Sequence, residues 1–467
     1  MKAAILVALL LATPASAEVL PTLQQQVEAK FAEAGPGVRF GLVVSTLEGR
    51  ELIAINPDGR FVPASNTKLF TTLAAFELLP GLDRPDSGGG ARVVLEDGAA
   101  GAPNVVLVGR GDARLSSAPD CKVDCLSTLA DAVAARTKRV GAVIGDASVF
   151  TDERWSFGMS WNNIPTRSGT ALAALMIDDN ELALRVRPGK PGEAPQVQVA
   201  SYVDVVNEAV TRSEGKTELE IVRLPGSRQL RLTGAIAADA TEELIRLGID
   251  DPAHYAAWRF AEMLKERGVA VLGGPVGRYH SPSKATASPL AEVTPEPLAA
   301  DIVTINKASQ NVHAELLLRR LGAARGKPDV AGGLEGVRAM LTEAGVPERA
   351  ATLADGSGMS PYNRVSPRGV VTMLRWAAGR PWAAEFRASL PVGGVDGTLR
   401  NRFREGGLKG RIFAKTGSLT AANALSGYLL TARGETLVFS LLASDVPEDV
   451  RATAIMDGAL ELVAAAP

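Results

Sequence analysis

The sequence predicts a multidomain α/β (α+β) protein: an antiparallel sheet flanked by helices, discontinuous in the chain and interrupted by a long insertion. Three observations predict it. The stretch VRFGLVVSTLEGRELIAINPDGRF, from Val38, reads as two strands around a tight turn at Glu48-Gly49. Near the other end, GRIFAKTGS and ALSGYLLTARGETLVFSLLAS read as further strands, with Gly434 in a hairpin turn, and EDVRATAIMDGALELVAAA closes as a helix. Between these ends the composition loosens at GLDRPDSGGGARVVLEDGAAGAP, a glycine-rich crossing into a different domain.

Size and composition allow this architecture. A chain of 467 residues is too long for one ordinary domain and suggests two or three. Hydrophobic residues at 46% and charged residues at 22% suit a globular protein with a real core. Lys plus Arg is 50 against Asp plus Glu at 52, so no basic field is available to hold nucleic acid. The opening MKAAILVALLLATPASA carries one lysine, a short apolar run and small residues, which predicts a secretory signal over residues 1–17, cleaved after Ala17. That run is too short to span a bilayer and no other segment is longer, so an exported, soluble protein without a transmembrane anchor is expected. No cysteine follows the cleavage site, which argues against a lipid anchor there. Only Cys121 and Cys125 are present, and in an oxidising compartment CKVDC leaves a local disulfide open. Their spacing does not suit a four-ligand zinc site, and His254, His280 and His313 are scattered, so no metal is expected.

Within the insertion NVVLVG and ALRVRPG are strand-like and LSTLADAVAARTKR is helix-like. A polar, strand-rich piece from about Asn180 to Arg231 reads as a small β subdomain nested inside the larger insertion. From about Pro297 the chain turns helical, and LAADIVTINKASQNVHAELLLRRLG gives two amphipathic helices broken at KASQN.

Three short motifs carry the chemistry. In FVPASNTKLFTTLAAFELL the residues Leu69, Leu73, Phe76 and Leu79 recur at helical spacing, and Pro80-Gly81 stops the run. A helix starting near Ser65 puts Ser65 and Lys68 on one face; by itself this is equally a serine N-cap followed by a solvated lysine. Ser309-Gln310-Asn311 lies between two helices, where capping is the ordinary role. Lys415-Thr416-Gly417-Ser418 lies on a strand and by itself suits an edge strand with a bend. Each motif is weak alone, but all three occur in the order S-x-x-K, S-x-N, K-T-G, each in its required context. Serine β-lactamases and penicillin-binding proteins share this trio.

At these residues the chain resembles the class C low-molecular-mass penicillin-binding proteins, the D-alanyl-D-alanine carboxypeptidase/endopeptidase family. The flanking words NPDGRFVPASNTKLFTT, NKASQNVHAELLLRRLG, DGSGMSPYNRVSP, LPVGGVDGTLR and AKTGSLTAANALSGYL look like that family's signature blocks. VIGDASVFTDERW and ALMIDDNELALRVRPG carry a weaker likeness. About half the chain lies between Ser65 and Ser309, far more than in class A β-lactamases, and the family places two additional domains there. The resemblance implies a serine β-lactamase/D,D-peptidase-like catalytic domain over residues 18–85 and 286–467. It implies an inserted domain over 86–179 and 232–285, and a nested β-rich domain over 180–231. Gln310 departs from the Asp or Asn more usual at the centre of S-x-N.

The expected roles follow. A serine hydroxyl needs an adjacent base, and Lys68 suits if its amine is neutral, a state that burial and a second ammonium at Lys415 would favour. Ser309 can pass a proton to the departing amine, and Asn311 can hold Lys68 or a substrate amide. Lys415 and Thr416 suit a terminal carboxylate, and Gly417 leaves room for a peptide along the strand. By resemblance, the oxyanion hole is formed by the N–H groups of Ser65 and Ser418, each such donor being worth about 3 kcal/mol. Asp146 in GDASVF is a candidate to face the site from the insertion and meet a cationic substrate end. The DGSG segment, Asp355 to Gly358, suits either a cleft wall or a structural loop; His313 reads as structural and GRGD, Gly109 to Asp112, as a turn. The reading is an exported, periplasmic serine D,D-peptidase of peptidoglycan stem peptides, with β-lactams as covalent inhibitors and no cofactor. The rivals are a β-lactamase, for which no omega-loop Glu-x-x-x-Asn signature is found, and a catalytically silent wall-binding scaffold.

Overall fold

The computed structural model describes residues 21–98, 101–281 and 288–466. The expected signal segment lies outside them. The two chain ends meet in one five-stranded antiparallel sheet, ordered Ile412–Leu419, Ala422–Leu430, Thr436–Ser444, Arg39–Thr46, Glu51–Ile55. The N-terminal strand pairs with Thr436–Ser444 along its whole length, from Arg39 opposite Ser444 to Thr46 opposite Leu437.

Alternation along these strands sends side chains into two cores. Leu42, Val44, Phe439 and Leu441 pack with Val27, Phe31, Met456 and Leu460 of the terminal helices Leu23–Ala32 and Ala452–Ala465. Val43, Val438 and Leu442 point the other way, against Leu69, Phe70, Leu73, Val370 and Leu374. TLVFSLLAS therefore reads as a continuous apolar run rather than a polar-apolar alternation, because both faces of its strand are covered.

The insertion has its own five-stranded mixed sheet, ordered Pro275–Arg278, Val143–Asp146, Asn104–Val108, Arg92–Glu96, Ala291–Glu292. Helices Leu126–Arg136 and Pro252–Glu266 contribute Leu129, Val133, Phe260 and Leu264 to its core. Beside it, Glu181–Arg187 pairs with Glu243–Gly248, and Asp204–Asn207, Val210–Arg212 and Glu218–Val222 gather around Gln229–Ala237. The structure closes Cys121 and Cys125 in a disulfide, the alternative that the sequence leaves open. Among the described residues no helix is long and apolar enough to cross a membrane.

The apolar core of the insertion extends beyond it. Val312 and Leu316 belong to the same cluster as Leu175, Leu182 and Phe260, and both lie on the helix Asn311–Ala324 that carries the S-x-N motif. The insertion thus packs against the site.

Candidate active site

Ser65 sits in a single turn of 3-10 helix, Ala64–Asn66, that feeds the α-helix Thr67–Leu78. Ala64 has φ 46°, in the left-handed region that costs a non-glycine residue roughly 1–2 kcal/mol. Two glycines let other segments close over this turn. A Cβ on Gly358 would stand 1.9 Å from the Ala64 carbonyl oxygen, and one on Gly417 would stand 2.5 Å from that of Pro63 and 3.1 Å from the Ser65 nitrogen. Asn66 Nδ2 donates to the Lys415 carbonyl at 2.8 Å, tying the turn to the K-T-G strand. Asn66 makes no capping bond for the helix. The Ser65 hydroxyl accepts a bond from Lys68 Nζ at 3.0 Å, so the capping reading does not hold.

Lys68 is completely buried. Its Nζ contacts Ser65 Oγ at 3.0 Å, Asn311 Oδ1 at 2.7 Å and the Ser357 carbonyl at 2.6 Å. Burial lowers its pKa to about 7, against the opposing pull of Asp355 and Glu315. Those two carboxylates make their bonds elsewhere. Glu315 Oε1 accepts from the Gly356 and Ser357 N–H groups and Oε2 from Arg319, while Asp355 accepts from Gly358 N, Ser360 N and Asn363 Nδ2. Burial and the charge of Glu315 push Asp355 up to about 7.

The contacts of Lys68 also orient its lone pair. A neutral amine has two hydrogens, and two of its three partners are carbonyl oxygens, which can only accept. The Ser65 hydroxyl accepts from the ammonium form and is the one partner able to donate, so when Lys68 is neutral this bond reverses and the lone pair faces the Ser65 O–H. Asn311 is held the right way round for this, because its Nδ2 donates to the Ser168 carbonyl at 3.0 Å and leaves Oδ1 facing Lys68.

Ser309 also has a left-handed backbone, φ 59°, at the break between helices Leu298–Lys307 and Asn311–Ala324. Its hydroxyl accepts from Lys415 Nζ at 2.9 Å. Lys415 is completely buried as well, and its pKa is held well below the ordinary lysine value by burial first and Lys68 second. Burial is the larger cause at both lysines, one of the two causes the sequence suggests for Lys68, and the charge of Lys68 adds to it at Lys415. Thr416 Oγ1 donates to Thr398 Oγ1 at 2.7 Å, and Ser418 is exposed beyond Gly417, its hydroxyl accepting from Asn423 Nδ2 at 3.1 Å. The strand is the sheet's edge: Ala422–Leu430 pairs with it along its length, and on its other side, among the described residues, the segment Pro391–Gly393 bonds it at Ile412–Ala414, short of the K-T-G residues.

The structure therefore brings Ser65, Lys68, Ser309, Asn311, Lys415, Thr416, Gly417 and Ser418 together. It does not do so for Asp146. That carboxylate is buried at the end of its strand, where Oδ1 accepts from Ser148 N at 3.0 Å and Oδ2 from Arg278 at 3.2 Å. Arg278 is its neighbour in strand register. At 1% exposure it is closed to a substrate's cation and instead holds the inserted sheet.

Sequence reasoning missed the contacts that the insertion makes with the S-x-N helix. Asp179 Oδ2 accepts from Gln310 Nε2 at 3.0 Å, and its Oδ1 lies 2.9 Å from His313 Nε2. Asp301 stands 3.2 Å from the other His313 nitrogen. Burial disfavours the charged ring, but hydrogen bonds to both carboxylates outweigh it and raise His313 to about 9. The only signal was the unusual Gln310, whose longer amide reaches across to the insertion. Asp179 falls in ALMIDDNELALRVRPG, a stretch with family likeness but no role read for it, and nothing local marked Ser168.

A serine paired with a buried lysine, a second lysine–serine pair and an open strand edge, on an antiparallel sheet with an insertion, form the site of the class that penicillin-binding peptidases share with serine β-lactamases. This chain belongs to the D-Ala-D-Ala carboxypeptidase 3 (S13) family, which it matches over residues 23–465. It is 34% identical over 462 residues to a D-alanyl-D-alanine carboxypeptidase of Actinomadura sp. (strain R39), covering 93% of this chain and 84% of that one. It is 26% identical over 419 residues to the D-alanyl-D-alanine carboxypeptidase DacB of Haemophilus influenzae, covering 86% and 85%. The crystal structure of penicillin binding protein 4 (dacB) from that organism has the same fold, with TM-score 0.80, 22% identity and coverage of 94% and 98%.

Proposed function

We propose that this protein is an exported D,D-peptidase that cleaves D-Ala-D-Ala and D-Ala–diaminopimelate bonds of peptidoglycan stem peptides through an acyl-enzyme on Ser65. The observation that carries this reading is the buried Lys68 amine, 3.0 Å from Ser65 Oγ and otherwise bonded to carbonyl oxygens.

The peptide lies along the open edge of the K-T-G strand, where Gly417 has no side chain in its way. Its terminal carboxylate meets Lys415 and Thr416. The arriving negative charge favours the Lys415 ammonium, against the burial that lowers its pKa. Neutral Lys68 takes the Ser65 proton while Oγ forms a bond to the carbonyl carbon of the penultimate residue. The N–H groups of Ser65 and Ser418 hold the resulting oxyanion. Ser309 already accepts from Lys415, so its own O–H is available to protonate the leaving nitrogen, and a lysine ammonium returns that proton. The C–N bond breaks and the acyl group stays on Ser65. Water then enters where the amine left and gives a proton to neutral Lys68 as its oxygen bonds the acyl carbon; the bond to Ser65 Oγ breaks, Lys68 returns the proton to that oxygen, and the acid is released.

Penicillin offers a strained amide and a carboxylate in similar relation, and its leaving amine remains tethered after ring opening. The purified protein should release D-Ala from a pentapeptide and gain the mass of one penicillin at Ser65, with an adduct lasting minutes or longer. Rapid catalytic turnover of penicillin would make it a β-lactamase, and neither adduct nor D-Ala release would make it a silent scaffold.

A further inference from the structure

A cavity of about 480 Å³ adjoins the site on the side of the departing group. Thr398 and Ala308 line it; Thr398 is hydrogen-bonded to Thr416 and Ala308 precedes Ser309. Arg167, beside the Ser168 that orients Asn311, closes it from the insertion. In the proposed binding mode a lone D-alanine ends at Lys415 and Thr416 and has no atoms to place there.

The charges of this cavity do not balance. Lys307 contributes none, because its Nζ is bonded to Asp396 at 2.5 Å and to the Leu390 carbonyl at 3.0 Å. Arg167 is paired at 3.1 Å with Glu181, but Glu181 also serves Arg246 at 3.1 Å, so one carboxylate answers two guanidinium groups. Arg400 is exposed and lines the cavity, and among the described residues its guanidinium has no carboxylate partner. Its position is built. The turn Gly397–Leu399 starts at a glycine with φ 56°, where a Cβ would stand 2.8 Å from the Lys307 carbonyl oxygen, so the turn is seated on the helix that leads to Ser309.

Building on the proposed peptidase function, we infer that this cavity receives the leaving strand of a cross-linked substrate, with Arg400 binding a carboxylate on it. In the D-Ala–diaminopimelate cross-link the departing amine belongs to a second stem peptide. The carboxylate next to that amine takes the place of the terminal carboxylate at Lys415. The rest of that peptide continues past Thr416 and carries further carboxylates, which suit a planar fork of N–H donors. Arg400 is then a specificity residue for the cross-linked substrate over the pentapeptide.

The test compares wild type, Arg400→Ala and Arg400→Lys on a monomeric pentapeptide and on a purified D-Ala–diaminopimelate cross-linked dimer. Arg400→Ala should lose about tenfold in kcat/KM on the dimer, mainly through KM, and stay within twofold on the pentapeptide. Arg400→Lys should recover part of the loss. Equal losses on both substrates, no loss on either, or a wild type that releases D-Ala but leaves the dimer intact would overturn the inference. A wild type inactive on the pentapeptide too would overturn the peptidase reading itself, and the inference with it.

Discussion

Two cationic side chains lie buried on either side of the S-x-N motif, and they titrate in opposite directions. Lys68 falls to about 7 and His313 rises to about 9. Burial pushes both toward neutrality, so burial cannot be the difference. The nearest partners are. His313 has a carboxylate at each nitrogen, at 2.9 and 3.2 Å. Lys68 also has two carboxylates in its surroundings, but Asp355 and Glu315 accept from the loop's own N–H groups, and what Lys68 touches is neutral. A carboxylate that bonds the cation keeps it charged, whereas one that bonds the backbone keeps a loop in place and leaves the cation weak. The first arrangement fastens the insertion to the catalytic helix, and the second makes a base.

The largest expected effect comes from removing that base or its target. Ser65→Ala and Lys68→Ala should each lower D-Ala release and penicillin acylation by roughly 10³-fold or more, as removal of a nucleophile or its base does elsewhere. Both variants should keep the wild-type far-UV spectrum. A Lys68→Ala protein that acylates at the wild-type rate would show that another group is the base. In wild type, the acylation rate should climb as pH rises through about 7, because only the neutral amine accepts the proton.

A sharper test converts one environment into the other. Asn311→Asp puts a carboxylate 2.7 Å from Lys68 Nζ, as Asp179 stands beside His313. The rising limb of the pH–rate profile should move up by roughly one unit or more, costing about tenfold at pH 7. A limb that stays near 7 with the rate merely scaled down would mean that direct carboxylate contact is not what separates the two sites.

The smallest expected effect is on stability. Asp179→Asn removes one of the two carboxylates that charge His313. A histidine raised above its unfolded value of about 6.5 contributes stability that is complete below that pH and is lost as pH rises through about 9. The variant should therefore be destabilised at pH 6 and match wild type by pH 10. Asp179 is 39% exposed, so solvent screening limits the difference to about 1 kcal/mol. A deficit equal at both pH values would assign the loss to the Gln310 bond instead.

Much of this was legible in the sequence. Periodicity located the helix after Ser65, the two helices broken at Ser309 and the hairpin at Gly434, because each is decided by residues a turn or a strand apart. The three motifs marked eight residues that the structure gathers. Asp146 misled because a carboxylate at a strand end looks the same whether it faces a cleft or, as here, caps a turn and pairs with Arg278 across the sheet. Gln310 reads in the sequence only as a departure from the usual Asp or Asn, because the partner that explains it, Asp179, lies 131 positions away.

The sequence by itself determined which groups could react and in what order along the chain they come: a serine one helical turn from a lysine, a second serine between two helices, a second lysine on a strand. Only the tertiary structure decided what state those groups are in. Lys68 is weak because segments remote in sequence exclude water from it, and its lone pair faces Ser65 because Asn311 and Ser357 offer it nothing but carbonyl oxygens. Asn311 in turn is oriented by the Ser168 carbonyl, in the insertion. Proton affinity and hydrogen-bond direction depend on everything within a few ångströms of an atom, and in a folded chain most of that comes from far along the sequence.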